Sequence, residues 1–135
     1  QVDKPTVEAW RREGGVIATQ RAMTAKATQC AEMRELLHSS ASKIIVHTYA
    51  GDAIFGSGTR VQFVHKWADD LAKSGAKLQI PLTYPLDAES ISTSPTVAQG
   101  RNLLGLILMQ LADKIVKGDL PFEVTMAAIE ANRPS

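Results

Sequence analysis

Hydrophobic residues are most concentrated in the stretch GRNLLGLILMQLADKIVK, which covers positions 100–117. On a helix, its apolar side chains would leave almost no polar side. A helix that is apolar nearly all round is normally a buried one, and this run is far shorter than the ~20 residues that cross a bilayer. We therefore predict that a central buried helix spans residues 103–116 and that Gly118 ends it.

The three residues before this helix are Gly100, Arg101 and Asn102. They place a permissive glycine, a cation and an amide at the positive end of a helix dipole. Backbone N–H groups at such a position bind anions readily. The pattern therefore suggests an anion site at the start of the central helix.

Helical periodicity dominates the first third of the chain. Thr6 can cap a short helix over residues 7–12, and a longer helical pattern runs over residues 16–38. Lys26 falls near the middle of the apolar face of the longer pattern. Either its stem packs while its ammonium reaches water, or it lines a pocket as a partly desolvated nucleophile. The apolar stripe consists of Met23, Ala27, Cys30, Met33 and Leu37.

A run of β-branched residues at positions 43–49 predicts a strand, because it is too short for a helix. The loop at positions 50–59 follows, with three glycines and Asp52. Such a loop lets the backbone come close to another group. Asp52 is therefore either a plain turn residue that bonds its own backbone or a carboxylate of a site.

A further helix is predicted over residues 61–74. Thr59 and Gln62 resemble a capping box at its start, and Gly75 provides its stop. Its inward face is predicted to consist of Val64, Trp67, Ala68 and Leu71.

The remaining segments complete a mainly α domain with a small β component. Residues 77–84 alternate, and Pro81 confines them to a sheet edge or an extended arm. We interpret residues 85–99 as a surface loop. The last helix is expected from Pro121 to Ala131. The helices would pack around the central one.

Composition narrows the class of protein. The 135 residues suit one domain, and 15 Lys and Arg against 14 Asp and Glu give no electrostatic footprint for nucleic acid. A single cysteine, Cys30, cannot form an internal disulfide, which favours a reducing, cytoplasmic setting. We expect no membrane segment. The three histidines, His38, His47 and His65, lie too far apart to suggest a metal site, so neither metal nor cofactor is expected.

Four motifs, in this order, resemble the YbiA-like N-glycosidases, also called the NADAR domain family. The family pattern is roughly K-F-x-Q, x-L-x-x-L-L, D-x-x-W-G-x-G and G-x-N-x-L-G-x-x-L-M. Phe55 and Ala27 stand where the family has tryptophan and phenylalanine. The matching segments are Lys26-Ala27-Thr28-Gln29, Met33-Arg34-Glu35-Leu36-Leu37, Asp52-Ala53-Ile54-Phe55-Gly56-Ser57-Gly58 and Gly100-Arg101-Asn102-Leu103-Leu104-Gly105 through Leu108-Met109.

The resemblance implies hydrolysis of an N-glycosidic bond in a small phosphorylated ribosyl compound, such as a riboflavin-pathway intermediate, or in an ADP-ribosyl compound. It implies that Lys26 attacks or stabilises the sugar C1 and that Asp52 orients the sugar or a water. The substrate-binding residues it implies are Phe55, Gly56, Gly58, Gly100, Arg101 and Asn102.

One family motif has no counterpart in this sequence. It is the N-terminal S-x-E-H-x-x-Q type motif, which carries an acidic residue of the site. We therefore expect an upstream segment or a partner chain to complete an active site. The alternative is a non-catalytic binding or assembly module of a larger protein that retains the family core.

Overall fold

The computed structural model describes residues 14–83 and 86–118, and this part of the chain is mainly α. The predicted fold class is confirmed in this respect. The helices within these residues are α1 (Gly14–Gln29), α2 (Ala31–Ser39), α3 (Val61–Ser74), α4 (Ala88–Thr93) and α5 (Leu103–Lys117).

Helix α5 is the centre of the packing, as predicted. Leu103, Ile107 and Leu111 are fully buried, and both α1 and α2 pack against it. The cluster of buried apolar residues around it includes Ala27 of α1 and Leu37 of α2. Gly118 ends the helix in the left-handed conformation, at φ 72°, which glycine adopts without steric cost.

The long helix predicted over residues 16–38 is two helices, so this prediction is wrong. Cys30 leaves helical geometry, with φ −116° and ψ 107°, and becomes the N-cap of α2. Arg34 reaches back across the break, and its Nη1 donates to the carbonyl oxygens of Ala27 and Thr28. A cation at the last carbonyls of α1 satisfies acceptors that the helix itself leaves open.

The predicted strand over residues 43–49 is not formed, and the described residues contain no strand. The small β component is reduced there to an isolated bridge between Val97 and Gly100. Residues 45, 47 and 49 nevertheless use their backbone groups at the two-residue spacing of an extended chain. Their partners are a side chain and a glycine loop in place of a second strand.

Helix α3 has the predicted bounds, and Gly75 ends it at φ 70°. The predicted capping box is wrong, because the N-cap is Arg60 and no side chain caps the first turn. Val64 is buried, Trp67 and Leu71 are half-buried, and Ala68 is exposed. The inward face is therefore narrower than predicted.

The predicted surface loop over residues 85–99 contains helix α4 and part of the core. Leu86 and Val97 are only 2% and 1% exposed. Asp87 caps α4 by accepting the Ser90 N–H at 2.7 Å, and the hydrogen bonds from Ser90 hold the pKa of Asp87 below its ordinary value. The loop prediction failed because isolated apolar residues between serines and prolines show no period.

The helices predicted over residues 7–12 and 121–131 lie outside the described residues, as do Tyr84 and Pro85. Within the ranges that the structure does describe, no helix has the length and apolar content that a bilayer crossing requires.

Replacing Leu106 or Leu111 by alanine should lower the free energy of unfolding by roughly 2–5 kcal/mol, since each is almost completely buried on α5. Leu36→Ala is the matched control, because Leu36 is 65% exposed; we expect a change within about 0.5 kcal/mol. Urea denaturation measures all three. Equal losses at the core and control positions would show that the core is misplaced.

Candidate functional site

The glycine loop that follows Asp52 forms the cap of helix α5. The N–H groups of four successive residues at the start of the helix all donate to carbonyl oxygens of this loop. An N-terminal helix end normally leaves such donors open. The bonds run from Arg101 to Ala53 (2.7 Å), Asn102 to Gly56 (3.0 Å), Leu103 to Ile54 (3.1 Å) and Leu104 to Phe55 (3.1 Å).

These bonds change the predicted role of the helix start. An anion cradle needs N–H groups that point at a ligand, whereas these four already have acceptors inside the protein. The segments predicted as two parts of a binding site, residues 52–58 and 100–102, are thus joined directly to each other.

We call the contact between residues 52–58 and 100–104 the joint. The Asn102 side chain bonds a third segment, residues 45–47, to this joint. Its side-chain Oδ1 accepts the His47 N–H at 2.9 Å, and its Nδ2 donates to the Ile45 carbonyl at 2.8 Å. The residue is 1% exposed and adopts the left-handed conformation at φ 52°, which asparagine tolerates better than most residues. The Asn102 amide therefore takes the place that a neighbouring strand would have beside residues 45–47.

The glycines at the joint are required by close backbone contacts. A Cβ on Gly100 would lie 2.1 Å from the Gly56 carbonyl oxygen, and a Cβ on Gly105 would lie 2.2 Å from the Ile45 carbonyl oxygen. Gly56 is buried, and a Cβ there would meet the carbonyl oxygens of Asp52 and His47 at 2.9 Å. Both family-like motifs thus contain glycines that allow the segments to touch.

Gly58 and Phe55 have other surroundings. Gly58 adopts φ +66°, and its N–H donates to the carbonyls of Tyr49 and Asp52. Phe55 is half-buried and packs against the core cluster. The predicted ligand contacts of both residues remain predictions.

Asp52 is a turn residue. Its Oδ1 accepts the N–H groups of Ile54 and Phe55, both at 2.9 Å, which is the self-bonding turn considered for it. The carboxylate is only partly buried. It orders the loop that caps α5, and this structural role is compatible with a second one at the surface of the loop.

The side chains of Arg101 and Lys26 differ in their exposure to solvent. Arg101 is half-buried, and its Nη2 donates to the carbonyl oxygen of Ile91 in α4. Lys26 is exposed, while the buried side of α1 carries Gln20, Thr24 and Ala27. The prediction that Lys26 lies on the apolar face is therefore wrong, because the buried face of α1 runs through Gln20, Thr24 and Ala27 and leaves Lys26 outside it.

Ile45, His47 and Ile91 are partners of the predicted site residues that the sequence pattern did not reveal. They contribute backbone groups, which leave no residue-type signal. The β-branched run at 43–49 was an indirect signal, since it predicted an extended segment in need of a hydrogen-bonding partner.

Two cavities lie away from these residues. One groove, of about 250 Å³, is lined by segments 40–44 and 78–82 and by one face of α5. The other lies beside Arg34 and Gly118. The described ranges show no cluster of three or more His, Cys, Asp or Glu side chains placed to hold a metal ion.

Comparison with known proteins gives no assignment. No protein-family model, curated protein or solved structure matches the chain.

Two substitutions at Asn102 separate the contribution of its side-chain amide from that of its left-handed backbone conformation. Asn102→Gly keeps the left-handed backbone but leaves the His47 N–H and the Ile45 carbonyl without their partner, at about 1–3 kcal/mol for each group that stays buried. Asn102→Ala adds the backbone cost and should be less stable still. Thermal and urea unfolding measure both variants. An Asn102→Gly variant as stable as the parent would show that the amide is dispensable.

Gly105→Ala should destabilise the protein by roughly 1–3 kcal/mol, because the methyl group would overlap the Ile45 carbonyl. The sign is informative, since alanine is normally preferred over glycine within a helix by ~1 kcal/mol. Gly51→Ala is the control, because its Cβ would meet only the Tyr49 ring at 3.1 Å. Stabilisation by Gly105→Ala would contradict the close contact.

Proposed function

We propose that this domain is a NADAR-like N-glycosidase domain, which hydrolyses the N-glycosidic bond of a ribosyl-phosphate or ADP-ribosyl compound. The observation that supports the proposal is the joining of two motifs more than forty residues apart. The loop that begins at Asp52 caps the helix that Arg101 precedes. Ala27, next to Lys26, and Ile54, close to Asp52, belong to the same apolar cluster.

In this proposal the side chains, and not the helix N–H groups, contact the ligand. A guanidinium has five N–H donors, and the bond to Ile91 uses one of those on Arg101. Arg101 can therefore hold a phosphate as well as the end of α4. Lys26 is exposed, and acts by approaching the sugar once the ligand is bound.

The reaction breaks the bond between C1 of the ribose and the nitrogen of the base. Water adds its oxygen to C1, and the leaving nitrogen takes up a proton. Either the free amine of Lys26 attacks C1 as the bond to the base breaks, the base nitrogen takes up the amine's proton and water then displaces the lysine from C1, or the Lys26 ammonium stabilises the departing base nitrogen. Asp52 orients the sugar or the water with its partly buried carboxylate. A second acid–base group comes from an upstream segment or a partner chain, because Asp52 also holds its own turn.

A second candidate function is a non-catalytic binding or assembly module. It is favoured by the internal use of the groups predicted to bind ligand, namely the N–H groups of residues 101–104 and the Asn102 amide. Under this alternative the shared motifs serve the joint alone, and a ribosyl ligand has no site on the domain.

The two candidates differ in what the 135-residue chain does by itself. We expect weak binding of ADP-ribose or ribose 5-phosphate in calorimetry, and slow release of base from an ADP-ribosylated nucleoside or a ribosylaminopyrimidine phosphate. Lys26→Ala should lower base release at least ~10²-fold. Its stability should stay within about 0.5 kcal/mol of the parent, because the residue is exposed. Lys73→Ala, an exposed lysine on α3, is the matched control and should change neither quantity.

Asp52 needs two variants. Asp52→Asn keeps an oxygen that can accept from Ile54 and Phe55 but removes the charge, whereas Asp52→Ala removes both. Base release that is lost in Asp52→Asn while stability is kept would support a chemical role. No ligand binding by the parent chain, and none when the upstream segment or partner chain is supplied, would contradict the glycosidase and favour the module.

A further inference from the structure

Two aromatic rings lie side by side on the extended segment that leads into the glycine loop. The ring centroids of His47 and Tyr49 are 5.8 Å apart, and the ring planes are tilted by 38°. Residues two apart in an extended chain point to the same side. The pair therefore forms one aromatic surface, which runs from the half-buried His47 ring to the Tyr49 ring, which is 55% exposed.

Backbone hydrogen bonds hold both residues against the loop. The carbonyl oxygen of His47 accepts the Ser57 N–H at 2.9 Å, and that of Tyr49 accepts the Gly58 N–H at 3.1 Å. A surface whose backbone is already ordered loses less conformational freedom when a ligand binds to it. The ring pair thus rests on a fixed support.

The rings themselves lie against loop glycines on either side of Asp52. A Cβ on Gly51 would meet the Tyr49 ring, with the nearest atom at 3.1 Å, and a Cβ on Gly56 would meet His47 Cδ2 at 3.1 Å. Gly51 directly precedes Asp52 in the chain. The Tyr49 ring therefore lies beside the residue that orients the sugar or the water in the proposed reaction.

The proposed reaction needs a surface for the base at this place. In an N-riboside the base is bonded directly to C1, so it must lie close to the group that positions the sugar or the water. Stacking on an aromatic side chain holds a base by its flat face, whatever its edge groups are. Phe55, the ring that the resemblance assigns to the ligand, is half-buried and packs against the core cluster. Tyr49 therefore offers the larger exposed ring at the loop.

We propose that the Tyr49 ring stacks on the base of the substrate, with the N-glycosidic bond directed toward Asp52, and that His47 positions the Tyr49 ring. The substrate class is then an N-riboside of a planar heteroaromatic base. This inference rests on the proposed function, because it assigns a place to the base that the reaction releases. The alternative is that Tyr49 only covers the backbone of Gly51.

The affinity for matched ligands with and without a base tests this role in the full 135-residue chain. The probes are cytidine 5′-monophosphate and ribose 5-phosphate, titrated in calorimetry. We expect the parent to bind the nucleotide more tightly. Tyr49→Ala should weaken nucleotide binding about tenfold, the scale of one base–ring stack, and leave ribose 5-phosphate binding unchanged. Tyr49→Phe should keep the parent's affinity for both ligands.

Further variants separate stacking from support of the loop. Tyr49→Leu keeps an apolar cover over Gly51 but removes the flat ring, so it should lose nucleotide affinity as Tyr49→Ala does. His47→Ala should weaken nucleotide binding less than Tyr49→Ala, and His47→Phe should restore it. Phe63→Ala is the matched control, because it removes a ring of similar exposure, 52%, from α3 and should change neither affinity. Circular dichroism of each variant verifies that the helices are kept.

Equal weakening of both ligands by Tyr49→Ala and Tyr49→Leu would overturn the inference, since the ring would then only support the loop. Unchanged nucleotide affinity in these variants, or no nucleotide binding by the parent, would overturn it too, while base release by the parent would still support the glycosidase. Conversely, a selective loss of nucleotide affinity in a chain that releases no base would support the stacking role and count against the glycosidase.

Discussion

A helix whose first turn is buried must find acceptors for N–H groups that have no partner within the helix. For the N–H groups of Asn102, Leu103 and Leu104 at the start of helix α5, the carbonyl oxygens of residues 54–56 meet this requirement. Each such donor left buried and unpaired would cost about 1–3 kcal/mol. The other features of the joint follow from this constraint. Gly100 and Gly105 allow the backbones to touch, Asp52 shapes the loop, and Asn102 holds residues 45–47 alongside.

The joint divides the predicted site residues into two groups with different physical roles. Gly56, Gly100 and Asn102 are buried and take part in internal contacts, so their motifs are explained by folding. Asp52, Arg101 and Lys26 are the charged members and retain contact with solvent. The proposed chemistry therefore depends on those three side chains, while the motif glycines and the asparagine hold the scaffold in shape.

The sequence predicted those elements whose signals are local and periodic. The dense apolar run of α5 and the terminal glycines of α3 and α5 were sufficient to place both helices. It failed where the chain leaves helical geometry at Cys30, a break that Arg34 spans by bonding the carbonyl oxygens of Ala27 and Thr28. It failed again at Leu86 and Val97, whose burial is set by tertiary contacts.

The site was predictable as a set of segments but not in its arrangement. Asp52 and Gly100 stood out as residues of unusual loops. Nothing in the local sequence indicates, however, that the loop after Asp52 caps helix α5, which follows Gly100. The Asn102 amide likewise satisfies an extended segment more than fifty residues away. Such pairings depend on backbone groups that are the same in every residue, and they can be recognised only after the chain has folded.

Amide hydrogen exchange at residues 101–104 tests the central claim most directly, because it reports on the four N–H groups themselves. If the loop caps α5 as described, these amides should exchange only when the domain unfolds globally, at the same slow rates as the amides of Ile107 and Leu111 in the middle of the helix. Fast exchange at Arg101, Asn102, Leu103 and Leu104 under native conditions, with slow exchange kept at Ile107 and Leu111, would contradict the account. It would show that the start of the helix is open to water and to ligands.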